Sequence, residues 1–281
     1  MTLPSDPLKE RGARSVLFVR FGTFFRLCLA SGLLHAAQAD AAAVTVVLNP
    51  AADTSIFEEN GDASDAKSPG LFAGRTNNDA IRRAFLRFDV AGSVPAGILV
   101  SSVTLRLSLT RSNSGFVYAS LFRVSAAWSE GTSNAGLPGG TGAAATPGDA
   151  TWTRRVYPGT FWLNPGGDAA ATSSGTTLIG TALTDYVFTT TPSLVADVQG
   201  WLDQPATNFG WQLRVDETQI APTAKRFGSR ENTLQPLLFV TYDDASAAAP
   251  PPAVPALDAP MLEILALLLA AGGARLLNRG S

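Results

Sequence analysis

The sequence of 281 residues has one cysteine and one histidine, Cys28 and His35, and both lie near its beginning. Serine and cysteine nucleophiles are usually activated by an imidazole, and zinc sites usually need thiolates or imidazoles. A chain that loses this N-terminal part can therefore build neither a Ser-His-Asp centre nor a Cys-His centre. The remaining residue types point away from nucleophilic and zinc-dependent catalysis.

Charge is also scarce, with 21 Lys and Arg against 23 Asp and Glu. The basic residues occur singly or in pairs, such as Arg82-Arg83. Because nucleic-acid binding needs several cations on one face, no nucleic-acid partner is expected. The sequence has no G-x-S-x-G, P-loop or G-x-G-x-x-G motif, so it also predicts no cofactor requirement.

Residues 1–39 are predicted to be a cleaved export signal. Basic residues precede an apolar stretch, and Ala37-Gln38-Ala39 supplies the small residues that signal peptidase recognises. A membrane-spanning anchor is the alternative, but Arg20 and Arg26 argue against it because charge is costly in hydrocarbon. Cleavage after Ala39 would remove the cysteine and the histidine.

The other end of the chain predicts a linker, residues 244–253, and then an apolar segment within residues 254–281. The linker is rich in Ala and Pro, and its prolines favour extended conformations. Only Glu263 and Arg275 interrupt the run from Met261 to Leu277. As a helix this run is about 25 Å long, close to the hydrocarbon thickness of a bilayer. A membrane segment is therefore favoured over a core helix, and the closing arginines agree with the positive-inside rule.

Between these ends, residues 40–243 predict an all-β sandwich. SVTLRLSLT alternates strictly, with Val103, Leu105, Leu107 and Leu109 on one face. RRAFLRFDV and GWQLRV repeat the alternation, and PLLFVTY, apolar on both faces, suggests a central strand. VTVVL, TSIF, FVYASLFRV and DYVFT are weaker candidates. Many strands with one helix are typical of a sandwich.

One short helix is predicted in TPSLVADVQGWLDQ. Thr191 is the candidate N-cap, and Pro192 takes the first helical position. Leu194, Val198 and Trp201 then fall on one side. The helix is expected to lie on a sheet with its tryptophan buried, and Trp211 and Trp128 are expected to pack as well.

Two long loops, residues 58–70 and 131–175, carry the candidate binding residues. The first contains Glu58, Asn60, Asp62 and Asp65, whose oxygens are the ligand type that Ca²⁺ prefers. A structural calcium site and a solvated acidic turn are both open interpretations.

The second loop carries Trp152, Tyr157 and Trp162 without a regular hydrophobic pattern. Flat rings can stack against the C–H faces of sugars, so these three residues are candidates for carbohydrate binding. The alternative is that they close one end of the sandwich by packing.

Paired-carboxylate glycoside hydrolysis needs neither histidine nor cysteine. The candidate acids are Asp89, Glu130, Asp185 and Glu231, and nothing in the sequence sets the spacing between any two of them. Their alternative role is in solvated strand ends and turns.

Several stretches together resemble the DNRLRE-domain family, which is related to carbohydrate-binding module family 96. They are AADTSIFEENG, RAFLRFDV, SSVTLRLSLT, AAWSEGT, GDATWTRR, FWLNPGGD, VADVQGWLDQPATNFGWQLR and RFGSREN with QPLLFVTYD. The resemblance runs from about Asn49 to Tyr242. It implies a jelly-roll β-sandwich, secreted or surface-attached, usually non-catalytic, and in many such modules equipped with structural calcium.

The tail VPALDAP resembles the IPTL-type C-terminal sorting domain of Gram-negative bacteria. Pro255 and Leu257 match that motif, whereas Val254 and Ala256 replace its isoleucine and threonine, and the usual tryptophan-glycine pair is missing. The resemblance implies an exosortase-type partner and a temporary anchor in the inner membrane.

The sequence therefore predicts an exported, non-catalytic protein of the cell surface or extracellular matrix that binds polysaccharide. A structural or adhesive matrix protein without sugar recognition is the alternative. A carboxylate-dependent polysaccharide-degrading enzyme is a third.

Overall fold

The structure is a computed structural model that describes residues 42–244. The predicted signal with its cleavage site at Ala37 and Ala39 lies outside the described residues, as does the predicted sorting motif, residues 254–257. Within residues 42–244, the only α-helix, with 12 residues, does not have the length and apolar character needed to cross a bilayer.

The described part of the chain consists of strands, one α-helix and one 3-10 helix. In chain order they are β1 (Ala42–Leu48), β2 (Pro50–Phe57), β3 (Ala63–Asp65), β4 (Gly70–Arg75), β5 (Ile81–Phe88), β6 (Val100–Ser112), β7 (Val117–Arg123), β8 (Ala143–Ala144), β9 (Arg154–Val156), β10 (Thr160–Phe161), β11 (Gly175–Ile179), β12 (Asp185–Phe188), α1 (Pro192–Asp203), the 3-10 helix (Pro205–Thr207), β13 (Trp211–Val215), β14 (Lys225–Gly228) and β15 (Leu237–Asp244).

Nine of the described strands pair along one path, β1-β15-β6-β14-β4-β5-β13-β7-β11, while β9 and β10 form a separate two-stranded sheet. All the strand pairs in the described range are antiparallel. The path folds into two facing layers, because inward side chains of β6 and β15 share one core with those of β5, β7 and β13. Strand β2 extends the second layer beside β5, and β12 borders β6. The mostly antiparallel architecture with one short helix is that of a β-sandwich, as predicted.

The alternating patterns are confirmed at the core. Val103, Leu105, Leu107 and Leu109 of β6 are all buried. The inward residues of β5 and β13 are buried too, and β15 is a central strand between β1 and β6. The four weaker candidates form β1, β2, β7 and β12.

The predicted helix is α1, with Thr191 as its N-cap and Pro192 at its start. The Leu194 backbone N–H donates to Thr191 Oγ1 at 3.0 Å. Trp201 is buried on the sheet side and meets Trp211 edge-on, with 4.5 Å between ring centroids. Both tryptophans are core residues, as expected.

The long loop, residues 131–175, is more ordered than predicted, because it contains β8, β9 and β10. Together with Trp128 it covers the outer side of β2 and β5, and we call this covering the loop layer (residues 126–170). Its aromatic side chains pack on Phe85, which points out of the sandwich yet is fully buried. Gly167 (φ +99°) lies against this ring, where a Cβ would come within 2.6 Å of Phe85 Cζ. The layer forms a second hydrophobic cluster beside the main core.

Candidate functional site

Trp162 lies inside the loop layer, with 5% of its surface exposed. Its ring stacks on Phe85 at a centroid distance of 5.4 Å and an interplanar angle of 8°. Its Nε1–H donates to the backbone oxygen of Thr151 at 2.9 Å. Since the indole ring is buried and stacked and its N–H is hydrogen-bonded, the packing interpretation holds for Trp162. Its assignment to a carbohydrate platform is corrected.

Trp152 and Tyr157 are half-buried, and each has an arginine over its ring. The Arg83 guanidinium lies 4.9 Å from the Trp152 centroid, and that of Arg154 lies 5.5 Å from the Tyr157 centroid. Arg154 also lies 4.6 Å from the exposed ring of Phe161. The three predicted aromatics therefore do not form one exposed row.

In the acidic loop, residues 58–70, the oxygen atoms of the candidate calcium ligands bind separate partners. Glu58 Oε2 accepts from the Ile81 backbone N–H at 2.8 Å. Asp62 pairs with Arg154, and Asp65 accepts from Ser68 Oγ–H and from the Ala135 backbone N–H.

Asn60 lies beside Asp62 in a small open cleft and accepts the Ala63 backbone N–H through its own backbone oxygen. Within residues 42–244, no group of three acidic, histidine or cysteine side chains is arranged to hold a metal ion. The contacts of these four residues attach the acidic loop to neighbouring parts of the protein.

Two of the four candidate acids, Glu130 and Glu231, are brought together. Both contact the Lys67 ammonium, at 2.6 and 3.5 Å. Arg230 Nε lies 3.4 Å from Glu130 and 3.1 Å from Glu231. With Asp53 these residues form what we call the charged cluster. It joins three of the stretches that carry the family resemblance, AADTSIFEENG, AAWSEGT and RFGSREN.

The other two candidate acids lie elsewhere and have local partners. Asp89 Oδ1 accepts from the Gly92 backbone N–H at 3.1 Å. Asp185 Oδ1 accepts from Ser108 Oγ–H at 2.5 Å, and its other oxygen lies 3.3 Å from Arg106. These contacts fit the alternative interpretation of turn and strand-end residues.

Asp53 is the unusual carboxyl of the charged cluster. It is buried, its Oδ2 accepts from the Arg230 backbone N–H at 2.7 Å, and its Oδ1 is buried without a hydrogen-bond partner. Burial, followed by the charges of Glu231 and Glu130, holds the pKa of Asp53 well above its usual range. The two cations of the cluster balance the two glutamates, which leaves no counter-charge for an ionised Asp53.

The outer side of the second layer is covered only in part. The loop layer ends near Gly166, whose backbone oxygen accepts from Gln212 Nε2–H at 2.7 Å. Beyond this edge, the outward side chains of β7, β11 and β13 face solvent. We call this surface the open face, and its members are Tyr118, Ser120, Phe122, Thr176, Leu178 and Arg214.

The open face combines apolar surface with hydrogen-bonding groups. Tyr118 and Leu178 are directly opposite each other on β7 and β11, with 59% and 46% of their surfaces exposed. The Arg214 guanidinium lies 4.4 Å from the Phe122 ring centroid. Burial and then the charge of Arg83 lower the pKa of Arg214 to about 10, so it stays cationic at neutral pH.

A depression of about 270 Å³ opens on this face, and Asp216, Glu217 and Thr218 form its rim. Glu217 is held by Arg83 through two contacts of 2.8 and 2.6 Å. The depression therefore has an aromatic wall, a cation and an ordered acidic rim, which suit a ligand with both apolar and hydroxyl surfaces.

Sequence reasoning missed the open face, although a signal was present. In FVYASLFRV, Tyr118 and Phe122 share the parity opposite to Val117, Ala119 and Leu121. Two aromatics on the predicted outward side of a strand indicate a functional surface or a covering layer. Only the tertiary structure shows that the layer stops short of them.

No protein-family model matches the sequence, and no curated protein matches it. The resemblance to the DNRLRE-domain family therefore stays a prediction, and the function is inferred from the geometry of the molecule.

Proposed function

We propose that this protein is an exported, non-catalytic β-sandwich module that binds polysaccharide through the open face. Sugar rings offer apolar C–H faces bordered by hydroxyls. A surface that sets Tyr118 and Leu178 beside Arg214 and a polar rim complements both. The observation that carries the proposal is the exposure of Tyr118 on three paired strands that the loop layer leaves uncovered.

Rigid strands favour this surface over the loop aromatics. Side chains two residues apart on a strand share a face, so Tyr118 and Phe122 stand about 13 Å apart along β7 and can contact different units of one glycan. The rings of Tyr157 and Phe161 face the Arg154 guanidinium and that of Phe122 faces Arg214, whereas no cation of residues 42–244 lies over the Tyr118 ring. Binding to paired strands also loses little conformational entropy.

Within the same proposal the sandwich is a jelly roll of the DNRLRE type, which the antiparallel pairing of distant strands such as β6 and β15 supports. The module acts at the cell surface or in the matrix of a Gram-negative bacterium. Signal peptidase and an exosortase-type enzyme process its two ends, and the C-terminal segment holds it in the membrane until then.

Affinity electrophoresis of the full chain through gels containing neutral and acidic polysaccharides tests the proposal. At least one polysaccharide should retard the protein, and Tyr118→Ala should relieve the retardation. Leu163→Ala is the matched control, since it removes an apolar side chain that is 87% exposed outside the open face. Retardation that Tyr118→Ala leaves unchanged but Trp152→Ala abolishes would move the site to the loop layer.

A structural or adhesive matrix role without sugar recognition is the second candidate. Its support is that Trp128, Trp162, Trp201 and Trp211 are all buried and Trp152 is half-buried, so no tryptophan offers a free face. Migration unaffected by every polysaccharide in the panel would favour this role over the first.

A further inference from the structure

A second surface, on the outer side of β4, β14 and β6, forms a groove of about 400 Å³. Its charged and aromatic lining consists of Phe72, Arg82, Arg111, Lys225 and Arg226, and the backbone of residues 138–141 borders it. We call it the cationic groove. It has no acidic lining residue and shares no lining residue with the depression on the open face.

Strand register sets the floor of the groove. Arg226 of β14 is directly opposite Phe72 of β4 on one side and directly opposite Arg111 of β6 on the other. A ring and two guanidinium groups therefore lie in a row across three strands. Lys225 offers no free donor to a ligand, because its ammonium already has Ser112 Oγ and three backbone oxygens as acceptors.

No acidic side chain of residues 42–244 compensates the positive charge of Arg111 and Arg226. Like charges directly opposite each other on neighbouring strands are destabilising. In the part of the chain that the structure describes, no carboxylate forms an ion pair with Arg111 or Arg226. Arg226 Nε–H donates to Thr110 Oγ1 at 3.0 Å, whereas the Arg111 guanidinium makes no hydrogen bond to any of the residues 42–244.

Arg82 adds a third guanidinium at the edge of the groove. Its Nη2 pairs with Glu59 at 2.6 Å, and its Nε is buried without a hydrogen-bond partner. Burial, followed by the charge of Arg111, also lowers the pKa of Arg226, as expected for cations held close together without an anion.

We propose that the cationic groove binds the phosphate group of a phosphorylated sugar, as a site separate from the open face. A carboxylate is planar and is satisfied by one bidentate guanidinium, whereas a phosphate offers acceptor oxygens in several directions and can meet several guanidinium groups together. The Phe72 ring itself is buried, so the apolar surface that the groove offers to the sugar ring is that of Pro138, which is exposed on its border.

Thermal unfolding of the full chain with separate ligands tests this site. Glucose 6-phosphate should raise the unfolding midpoint, and glucose should leave it unchanged. Inorganic phosphate should raise it less, because it lacks the sugar ring. Added sodium chloride should reduce both shifts, since the attraction is electrostatic.

Variants separate binding from folding. Arg111→Ala should unfold at an equal or higher temperature without ligand, because it relieves the repulsion from Arg226. It should also weaken the binding of glucose 6-phosphate about tenfold or more. Arg111→Lys should keep part of the affinity. Arg155→Ala, which removes a positive charge outside the groove, should bind like the unmodified protein.

Three results would overturn the proposal. They are no midpoint shift with glucose 6-phosphate, an equal shift in Arg111→Ala, and equal or stronger binding of glucuronate, which would make this a carboxylate site. If inorganic phosphate raised the unfolding midpoint and glucose 6-phosphate did not, the groove would be a site for free anions and not for a phosphorylated sugar. None of these results depends on polysaccharide binding at the open face.

Discussion

Asp53 is a single carboxyl whose environment predicts a pH dependence of stability. Its folded-state pKa lies well above the ordinary 3.8, mainly because of burial. Between 3.8 and that raised pKa the folded protein binds more protons than the unfolded chain. The free energy of unfolding therefore decreases as the pH rises through this interval. In the Asp53→Asn variant the free energy of unfolding should decrease less steeply with pH, since the asparagine side chain carries no charge at any pH.

Urea unfolding of both proteins, from below pH 3.8 to neutrality, measures this difference. Part of the slope should persist in Asp53→Asn, because burial also raises the pKa of Asp65. Asp216→Asn provides a control of opposite sign: hydrogen bonds, the largest from Thr218, lower the pKa of Asp216, so its stabilisation is lost as the pH falls. Parallel pH profiles for Asp53→Asn and the unmodified protein would contradict the role given to Asp53.

Among the elements, α1 depends on its N-cap residue. Thr191 Oγ1 accepts from the Leu194 N–H and donates to the backbone oxygen of Ser174, so it both caps the helix and joins it to the residue that precedes β11. Thr191→Ala should lower the free energy of unfolding by about 1 kcal/mol, the usual loss for an N-cap. Thr191→Ser keeps the hydroxyl and should lose much less, as measured by denaturant titration. Equal losses in the two variants would show that the methyl group, not the cap, matters.

Strands and helices with a regular hydrophobic period were predictable from the sequence, whereas the loop segments that cover their outer faces were not. The alternation in β6 reports which of its faces meets the core, and the i, i+4 and i+7 spacing in α1 does the same. Phe85, however, lies on the face of β5 that the alternation marks as polar, between Arg83 and Arg87. The loop layer that buries it has no period, because its aromatic side chains are held by turns and by two- and three-residue strands. A large apolar residue on a polar strand face was the available signal.

Over the whole molecule, the candidate sites depend on pairs that are distant in the sequence. Tyr118 meets Leu178 through the register of β7 and β11, and Arg111 meets Arg226 through that of β6 and β14. Composition and spacing cannot supply such registers. For the same reason the sequence offered Trp162 as a ligand platform, whereas the fold stacks it on Phe85.

The loop layer and the sandwich should unfold as one unit. Strand β5 sends Leu86 into the main core and Phe85 into the second cluster, so loss of either cluster removes support from the same strand. Trp162→Ala should therefore lower the free energy of unfolding of the whole domain by about 3–5 kcal/mol, the usual loss for a buried tryptophan. Tryptophan fluorescence and far-ultraviolet circular dichroism should give coincident transitions before and after the change. Leu163→Ala, its exposed neighbour, should leave both transitions in place. If Trp162→Ala shifted the fluorescence transition alone, the loop layer would be an independent unit, and its edge beside the open face could open without disturbing the sandwich.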